Sequence, residues 1–350
     1  MRHEASIIGP DDPILVTGST GFIGSRLVHE LIGRGFRNLR CFARPGSDLS
    51  ALDAAARTGA RVEVIRGNLL SPADCARATK DVAVIFHLAA GRGEKSFPDS
   101  FMNSVVTTRN LLDAALLHAS LKRFVSISSF VVYGSTRTHG RMLDESCPIE
   151  AHPEQSGDPY CFGKVRQDEI VQEYGRQFGI PYVLVRPGYV YGPGKDAITG
   201  RVGMDTFGVF LHLGGSNSVP FTFVDNCADA IALAGITPGV DGQVFNVVDD
   251  DLPSSRDFLR LYKRHVRRFR SVYLPHAVSY GFCWLWEKYS QWSDEQLPPA
   301  FNRRKWHAFW KKTRYSNAKL RTQLGWTPTV SMTEGFRRYF ESCRERRRHA

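Results

Sequence analysis

The sequence predicts an α/β fold with one doubly wound parallel sheet and a smaller C-terminal lobe packed on it. Apolar strand-like runs alternate with helical stretches over the first 187 residues, which is typical of βαβ units. These runs are continuously hydrophobic, as strands are when helices cover both faces of a parallel sheet. The length of 350 residues suits about two lobes at roughly 100–200 residues per domain.

The alternation predicts these elements one by one. Strands are predicted at residues 14–18, 39–43, 61–67, 82–90, 123–129 and 181–187. Helices are predicted at residues 22–32, 99–118 and 158–178. After residue 187 the alternation decays, and later strands are predicted at 221–224 and 244–248. We therefore predict a first domain of residues 1–187, to which the strands near 221–249 return, and a second lobe of residues 188–350.

Composition places the chain among ordinary globular proteins, with 42% hydrophobic and 23% charged residues. No apolar run approaches the roughly 18 residues of a spanning helix, and residues 1–13 lack the apolar core of a signal peptide. Seven scattered cysteines without a CxxC argue against a disulfide framework or a zinc finger. We therefore expect a cytoplasmic, reducing environment.

The positive charge is concentrated near the C-terminus. The formal net charge is +11, and residues 256–350 hold 22 Lys and Arg against 7 Asp and Glu, which gives +15. The first 255 residues therefore sum to −4. Such a basic region fits nucleic acid, a membrane surface or an anionic ligand, and it also fits an ordinary solvated face.

A glycine-rich turn joins the first strand to the first helix. Gly18 allows a tight turn, Gly21 lets a pyrophosphate approach the backbone, and Gly24 lets helix and strand pack closely. The helix N-terminus offers free N–H groups and a positive dipole end to phosphates. Because the triplet follows a strand and opens a helix, it predicts a dinucleotide site.

The second strand indicates which dinucleotide binds there. NAD sites usually place an acid about 20 residues after the glycines, to hold the ribose 2′-hydroxyl. No acid lies between Glu30 and Asp48, and Arg44 stands where a 2′-phosphate would sit. A guanidinium suits phosphate in a bidentate manner, so we predict NADP, with NAD as the alternative.

A tyrosine and a lysine open the helix predicted at 158–178. Tyr160 and Lys164 are four residues apart, so they share one helical face, where the ammonium is expected to lower the pKa of the phenol. Ser128 and Ser129 end the fifth strand, at the carboxyl edge where open α/β sheets bind ligands. A hydroxyl there can donate to a substrate oxygen.

These features together resemble the extended short-chain dehydrogenase/reductase superfamily, which includes the NAD-dependent epimerases and dehydratases. The resemblance covers nearly the whole chain, and its motifs stand in family order: TGSTGFIG at 17–24, GNLLSP at 67–72, FHLAA at 86–90, Asn103 before TTRNLLDAA, SISSFVVYG at 126–134, YCFGK at 160–164, RPGYVYGPG at 186–194, FVDNCADAI at 223–231, FNVVDDD at 245–251 and LGWTP at 324–328.

The resemblance implies a catalytic triad of Ser129, Tyr160 and Lys164. It implies a Rossmann domain that binds the cofactor through a larger set: Gly18, Thr20, Gly21, Phe22, Ile23, Gly24, Arg44, Asn68, Leu69, Leu88, Ala89, Ala90, Tyr160, Lys164 and Pro187. It also implies a homodimer built through the helices at 99–118 and 158–178. The first of these helices has four apolar residues for that contact: Phe101, Val105, Leu112 and Leu116.

The substrate is less well marked. Nucleotide-sugar enzymes of the superfamily typically have an Asn where this chain has Gly188, and an Arg before the motif at 223–226 that is missing here, although Arg201 is another candidate for a diphosphate. The motifs are closer to the hydroxysteroid dehydrogenase and dihydroflavonol reductase branches. We predict hydride transfer to or from a lipophilic carbonyl or alcohol. The alternatives are a nucleotide-sugar epimerase or dehydratase with a recycled cofactor, and a non-catalytic dinucleotide sensor.

All six tryptophans lie between Trp284 and Trp326, among most of the excess positive charge. Residues 272–312 are therefore predicted to shape an apolar substrate entrance that contacts an anionic membrane surface. The alternative is that the tryptophans pack the lobe. The catalytic motifs argue against nucleic acid as a partner. His87, His139 and His212 have no close ligand pair, so no metal is assigned.

Overall fold

The computed structural model describes residues 6–57, 59–91, 96–133, 142–206, 208–293 and 301–349. Within them the strands are β1 (Ile14–Thr17), β2 (Asn38–Ala43), β3 (Arg61–Arg66), β4 (Val84–His87), β5 (Arg123–Ile127), β6 (Met142–Leu143), β7 (Tyr182–Pro187), β8 (Tyr189–Tyr191), β9 (Gly203–Thr206), β10 (Val209–His212), β11 (Phe221–Phe223), β12 (Val244–Val247), β13 (Ser271–Tyr273) and β14 (Arg314–Tyr315). The helices are α1 (Phe22–Gly33), α2 (Ser50–Ala56), α3 (Pro72–Thr79), α4 (Phe97–Ser100), α5 (Thr107–Leu116), α6 (Pro159–Phe178), α7 (Val224–Ile236), α8 (Ser255–His265), α9 (His276–Trp292), α10 (Arg303–Phe309), α11 (Ala318–Leu324) and α12 (Met332–His349).

The predicted doubly wound parallel sheet is confirmed. Among the described residues seven strands pair in the order β3-β2-β1-β4-β5-β7-β12, and every pairing is parallel. The strand order reverses between β1 and β4. In such sheets, ligands bind in the crevice beyond the carboxyl ends of the strands at this reversal.

Apolar cores on the two sides of the sheet explain the continuous hydrophobic runs. Every residue of β1, β4 and β5 is buried. One core packs strand side chains with α1 and α7, and the other packs them with α3, α5 and α6. Helices therefore cover both faces of the sheet, as the strand composition predicted.

Three predicted elements differ in detail. The helix predicted at 99–118 begins earlier, as α4, and continues through a π-helical segment, Phe101–Val106, into α5. The strand predicted at 82–90 is limited to β4, which leaves residues 88–90 as a loop. The strand predicted at 221–224 does not return to the central sheet, because β11 pairs with β8 in a separate sheet.

A carboxylate explains where β11 ends. Asp249 accepts a hydrogen bond from the backbone N–H of Phe223 at 2.9 Å, at the point where the chain turns into α7.

Because β12 does pair with β7, the prediction of a returning strand holds for that later strand alone.

The C-terminal part adds a small sheet and a helix pair. Strands β9, β10 and β13 form a three-stranded sheet, and α9 packs against α10 around a core of Leu213, Cys283 and Trp310. None of the helices within the described ranges is both long and apolar enough to cross a lipid bilayer.

Candidate active site

The turn between β1 and α1 has the geometry that its glycines predict. Gly18 has φ +68°, a left-handed conformation that side chains rarely adopt. A Cβ atom on Gly24 would lie 2.1 Å from the carbonyl oxygen of Gly18, so helix and turn can approach this closely only with glycine there. Thr20, Gly21, Phe22 and Ile23 are half-buried at the start of α1. Their backbone suits a pyrophosphate, because the first N–H groups of a helix have no intrahelical acceptor.

The other predicted cofactor residues follow the carboxyl ends of neighbouring strands. Leu88, Ala89 and Ala90 follow β4 and are half-buried. The N–H of Leu88 donates to the carbonyl oxygen of Thr17 at 3.2 Å, which fixes this loop against the glycine turn. Of the remaining positions, Asn68 and Leu69 follow β3, where the side chain of Leu69 packs in the core, and Pro187 ends β7.

Arg44 lies directly after β2 and is exposed. Within the described part of the chain its guanidinium makes no hydrogen bond or ion pair with a side chain. An arginine without a protein partner at this edge is available to an anion, which is compatible with the predicted 2′-phosphate contact.

The structure separates the two adjacent serines. Ser128 is buried and donates to Oδ2 of Asp168 at 2.9 Å. Ser129 is half-buried, accepts from the N–H of Val131 at 3.3 Å, and its hydroxyl is close enough to the phenol of Tyr160 to act on the pKa of that group. Ser129 is therefore the hydroxyl that meets the tyrosine.

Tyr160 lies in the first turn of α6, whose start is fixed by Asp158. The carboxylate of Asp158 accepts from the N–H of Tyr160 at 2.9 Å, as an N-cap residue does. Burial of the phenol raises the pKa of Tyr160, and the hydrogen bond from Ser129 only partly opposes this. The phenol therefore holds its proton at neutral pH in this structure.

Lys164 is buried, and its ammonium is hydrogen-bonded within the protein. It donates to the carbonyl oxygen of Ile127 at 2.6 Å and to Oε1 of Gln167 at 2.9 Å. Burial lowers the pKa of Lys164 to about 8, while Asp168 acts in the opposite direction. The prediction that Lys164 lowers the pKa of Tyr160 is wrong for this structure, because burial of the phenol dominates and its other charged neighbours are Asp158 and Asp168.

A buried chain of hydrogen bonds connects Lys164 to the glycine turn. Gln167 accepts from Lys164 and donates through Nε2 to Thr108 Oγ1 at 3.1 Å. Thr108 lies 2.9 Å from Nε2 of His87, and Nδ1 of His87 lies 2.8 Å from the hydroxyl of Thr17. Thr17 in turn accepts from the N–H of Ala89 at 3.3 Å.

The donors in this chain define the state of His87. The hydroxyl proton of Thr108 is used on the carbonyl oxygen of Ser104, so His87 must donate through Nε2 and accept at Nδ1 from Thr17. Burial lowers the pKa of His87 to about 3, with the charge of Lys164 adding to this. His87 is thus a neutral connecting residue. Two other histidines were considered as metal ligands in the sequence. The ring of His212 lies 3.0 Å from the hydroxyl of Ser255, and His139 lies outside the described residues.

Two further residues support the site from behind. Arg186 donates through Nε and Nη2 to the same Asp168 oxygen that accepts from Ser128. Its guanidinium also lies over the ring of Tyr133, 4.9 Å from the centroid. This ion pair joins α6 and β7 behind Ser128.

Sequence reasoning missed Gln167, Thr108, Asp168 and Arg186. Two signals were available in the sequence. Gln167 and Asp168 fall three and four residues after Lys164 on one face of α6, and Arg186 is a charge in an otherwise apolar strand. Thr108 had no such signal, because only the fold brings it to His87.

A cavity of about 280 Å³ lies between the start of α6 and the C-terminal lobe. Asp158, Pro159 and Cys161 line it on one side, and Arg304 and Phe309 on the other. The cavity is thus next to the turn of α6 that holds Tyr160, with both apolar and cationic groups from α10.

The model of the "NAD dependent epimerase/dehydratase family" matches residues 14–247, which include the glycine turn, both serines and all of α6. The chain belongs to this family. The family membership that the motifs predicted is thereby confirmed.

Its curated relatives catalyse more than one kind of reaction. A trifunctional UDP-glucose 4,6-dehydratase/epimerase/reductase of Arabidopsis thaliana is 27% identical over 67% of this chain, and the match spans 36% of that longer protein. UDP-glucose 4-epimerase of Mycolicibacterium smegmatis is 28% identical, over 95% of this chain and 98% of its own. The 3-beta-hydroxysteroid dehydrogenase of Mycolicibacterium neoaurum is 28% identical, over 90% and 87%.

Solved structures share the fold. The crystal structure of gox2253 superposes with a TM-score of 0.77 at 24% identity, covering 96% of this chain and 99% of that one. UDP-glucuronic acid 4-epimerase from Bacillus cereus, in complex with UDP-glucuronic acid and NAD, superposes with a TM-score of 0.71 at 22% identity, covering 95% and 99%. At such identities the likeness establishes the architecture alone.

Proposed function

We propose that this enzyme transfers a hydride between a nicotinamide cofactor and a carbonyl or secondary alcohol of a lipophilic substrate. The observation that carries the proposal is at Gly188, where nucleotide-sugar enzymes of the superfamily typically have an Asn. A Cβ atom there would lie 2.2 Å from the carbonyl oxygen of Pro220. The backbone thus fills the space of that side chain, so no amide can reach a sugar nucleotide from this position.

Arg201 supports the same interpretation. It was the remaining candidate for a diphosphate contact, but its guanidinium donates to the carbonyl oxygen of Ala308 at 2.9 Å. It also lies over the ring of Phe309, 5.0 Å from the centroid. These contacts commit Arg201 to holding α10 in place.

The site residues suit both directions of such a reaction. Gly18, Gly21 and Gly24 would hold the pyrophosphate of the cofactor, and Lys164 a ribose hydroxyl. The bound nicotinamide supplies or accepts the hydride at the substrate carbon. In reduction, Ser129 orients the substrate oxygen and Tyr160 gives it a proton. In oxidation, the deprotonated phenolate form of Tyr160 would take the hydroxyl proton, which requires high pH. The raised pKa of Tyr160 favours the proton-donating role at neutral pH.

We propose NADP as the preferred cofactor, on the strength of Arg44. Replacing Arg44 with Ala should weaken NADP binding about tenfold or more, since a charge-assisted contact to phosphate contributes roughly 1.5–3 kcal/mol. NAD binding should be unchanged. The matched control is Arg37→Ala. Arg37 is also exposed, but it precedes β2 and therefore lies at the amino-terminal end of the strand, whereas Arg44 follows the carboxyl end. Equal affinity of the wild type for both cofactors, measured by titration calorimetry, would remove the basis of this proposal.

Nucleotide-sugar epimerisation is the second candidate, favoured by the relative that matches nearly end to end, UDP-glucose 4-epimerase. The two reactions differ in their cofactor balance. The proposed oxidoreductase consumes added NADPH or NADP in step with substrate, whereas an epimerase recycles its cofactor. A panel of hydroxysteroids, ketosteroids and UDP-glucose, followed by cofactor absorbance and by mass spectrometry of products, distinguishes them. Product from UDP-glucose without net cofactor change would overturn the main proposal.

Assembly and location extend the proposal. Of the residues predicted for a dimer contact, Val105 and Leu112 are buried within their own chain, so they cannot serve it. Phe101 and Leu116 are exposed, and we propose a homodimer through them. The cytoplasmic location stays a prediction. We also propose peripheral membrane contact through the C-terminal lobe.

A further inference from the structure

Helix α9 exposes a continuous apolar stripe, defined by Val278, Phe282, Leu285, Tyr289 and Trp292. Successive members of the stripe are four, three, four and three residues apart. Because an α-helix rotates by about 100° per residue, this spacing places all five within an arc of about 80° around the helix axis. Trp292 is 79% exposed and Leu285 is 59% exposed. Soluble proteins rarely leave so many large apolar side chains together in water, and such patches mark interaction surfaces.

The opposite face of α9 is already packed. Ser279, Cys283 and Ser290 are the buried residues of this helix. Cys283 packs with Leu213 and Trp310, and Ser279 accepts a hydrogen bond from Nε1 of Trp306 at 2.9 Å. Of the stripe residues, Phe282 also contacts the ring of Phe301 at 5.2 Å between centroids, at the border of this packed face. The rest of the stripe, with Leu285 and Trp292 the most exposed, lies outside this packing.

The sequence on both sides of α9 is predominantly basic. Residues 264–312 contain ten Lys and Arg against three Asp and Glu. The only acid within α9 is Glu287, and Arg303 pairs with it at 2.9 Å. Lys288 is exposed beside the stripe, and exposed Arg267, Arg268 and Arg270 precede β13, which leads into α9.

We propose that the stripe on α9 docks on a membrane surface containing anionic lipid, with the helix axis parallel to the surface. Tyr and Trp side chains are stable at the headgroup layer, where the ring is partly apolar and its polar atom stays hydrated. The flanking cations add attraction to anionic headgroups. A second copy of this chain would bring the same positive charges to the contact, so charge complementarity favours lipid over self-association.

Vesicle co-sedimentation of the full chain tests the proposal. The wild type should sediment with vesicles of phosphatidylcholine and phosphatidylserine, with a blue shift of tryptophan fluorescence. It should sediment far less with phosphatidylcholine alone or at high salt, because salt screens the attraction beyond roughly 8–10 Å. No sedimentation at low salt with unmoved fluorescence would overturn the proposal, and so would equal sedimentation with both lipids.

Variants locate the contact. Leu285→Ser and Trp292→Ser should each weaken binding about tenfold or more, and Lys288→Gln about fivefold. The matched control is Leu117→Ser, which removes another exposed apolar side chain, 72% exposed, after α5. An equal effect of the control would overturn the assignment of the stripe. A lipid-free dimer that Leu285→Ser converts to a monomer would assign the stripe to a second copy instead. None of these measurements uses substrate or cofactor, so their failure leaves the proposed reaction standing.

Discussion

Helices α6 and α9 are similar in length, with 20 and 17 residues, but they are embedded in opposite ways. Helix α6 buries nine residues, and three of these, Lys164, Gln167 and Asp168, have charged or amide side chains that are hydrogen-bonded inside the protein. Helix α9 buries three small residues and leaves its large aromatic side chains at the surface.

The two helices are therefore held in place by different kinds of contact. Burying the polar side chains of α6 is costly unless each has a partner, so the helix is fixed by contacts with β5, β7 and α5. The surface of α9 has no such requirement. The most exposed side chains of its stripe, Leu285 and Trp292, gain little from folding, so their placement is better explained by an external contact than by stability.

Stability measurements should separate the two helices most strongly. Asp168→Ala leaves Arg186 as a buried, unpaired charge and should lower the free energy of unfolding by about 3–5 kcal/mol. Arg186 and Asp168 have side chains 4% and 0% exposed, so water cannot compensate. Leu285→Ser should change it by only about 0.5 kcal/mol, as exposed positions do. Urea denaturation measures both. A large loss for Leu285→Ser would mean that the stripe is covered within the chain.

Substitution of two tyrosines on α6, Tyr160 and Tyr174, tests the chemistry assigned to this helix. Tyr160→Phe should lower turnover about a hundredfold or more, because the phenol moves a proton to or from the substrate oxygen. Cofactor affinity should hardly change. Tyr174→Phe is the control, since Tyr174 lies on the same helix and donates to Asp113 at 2.5 Å, away from the site. Near-wild-type turnover of Tyr160→Phe on the identified substrate would reject Tyr160 as the acid.

Local rules were enough for the sheet, the glycine turn and the Tyr160–Lys164 spacing. Each of these depends on backbone conformation or on helical periodicity, which the sequence displays directly. The distribution of tryptophans was not predictable in this way. Trp310 and Trp326 are buried, while Trp292 is exposed, and composition does not distinguish them. The environment of Lys164 also depended on the fold, because Thr108 and His87 come from other elements.

The prediction with the smallest expected effect concerns Gln167, which we assign as a positioning residue for Lys164. Gln167→Leu removes an acceptor from the buried ammonium, so the pKa of Lys164 should fall further below its value of about 8. If activity requires the charged lysine, the pH at which activity declines should move down by about one unit, with about a fivefold loss at pH 8. Deprotonation of Tyr160 does not contribute to this decline in activity, because the pKa of Tyr160 is raised from 10. Gln177→Leu, near the exposed end of α6, should leave the profile unmoved. Gln167→Glu adds a buried negative charge and should shift the profile upward. A lower rate with an unshifted profile in both Gln167 variants would assign Gln167 to packing alone.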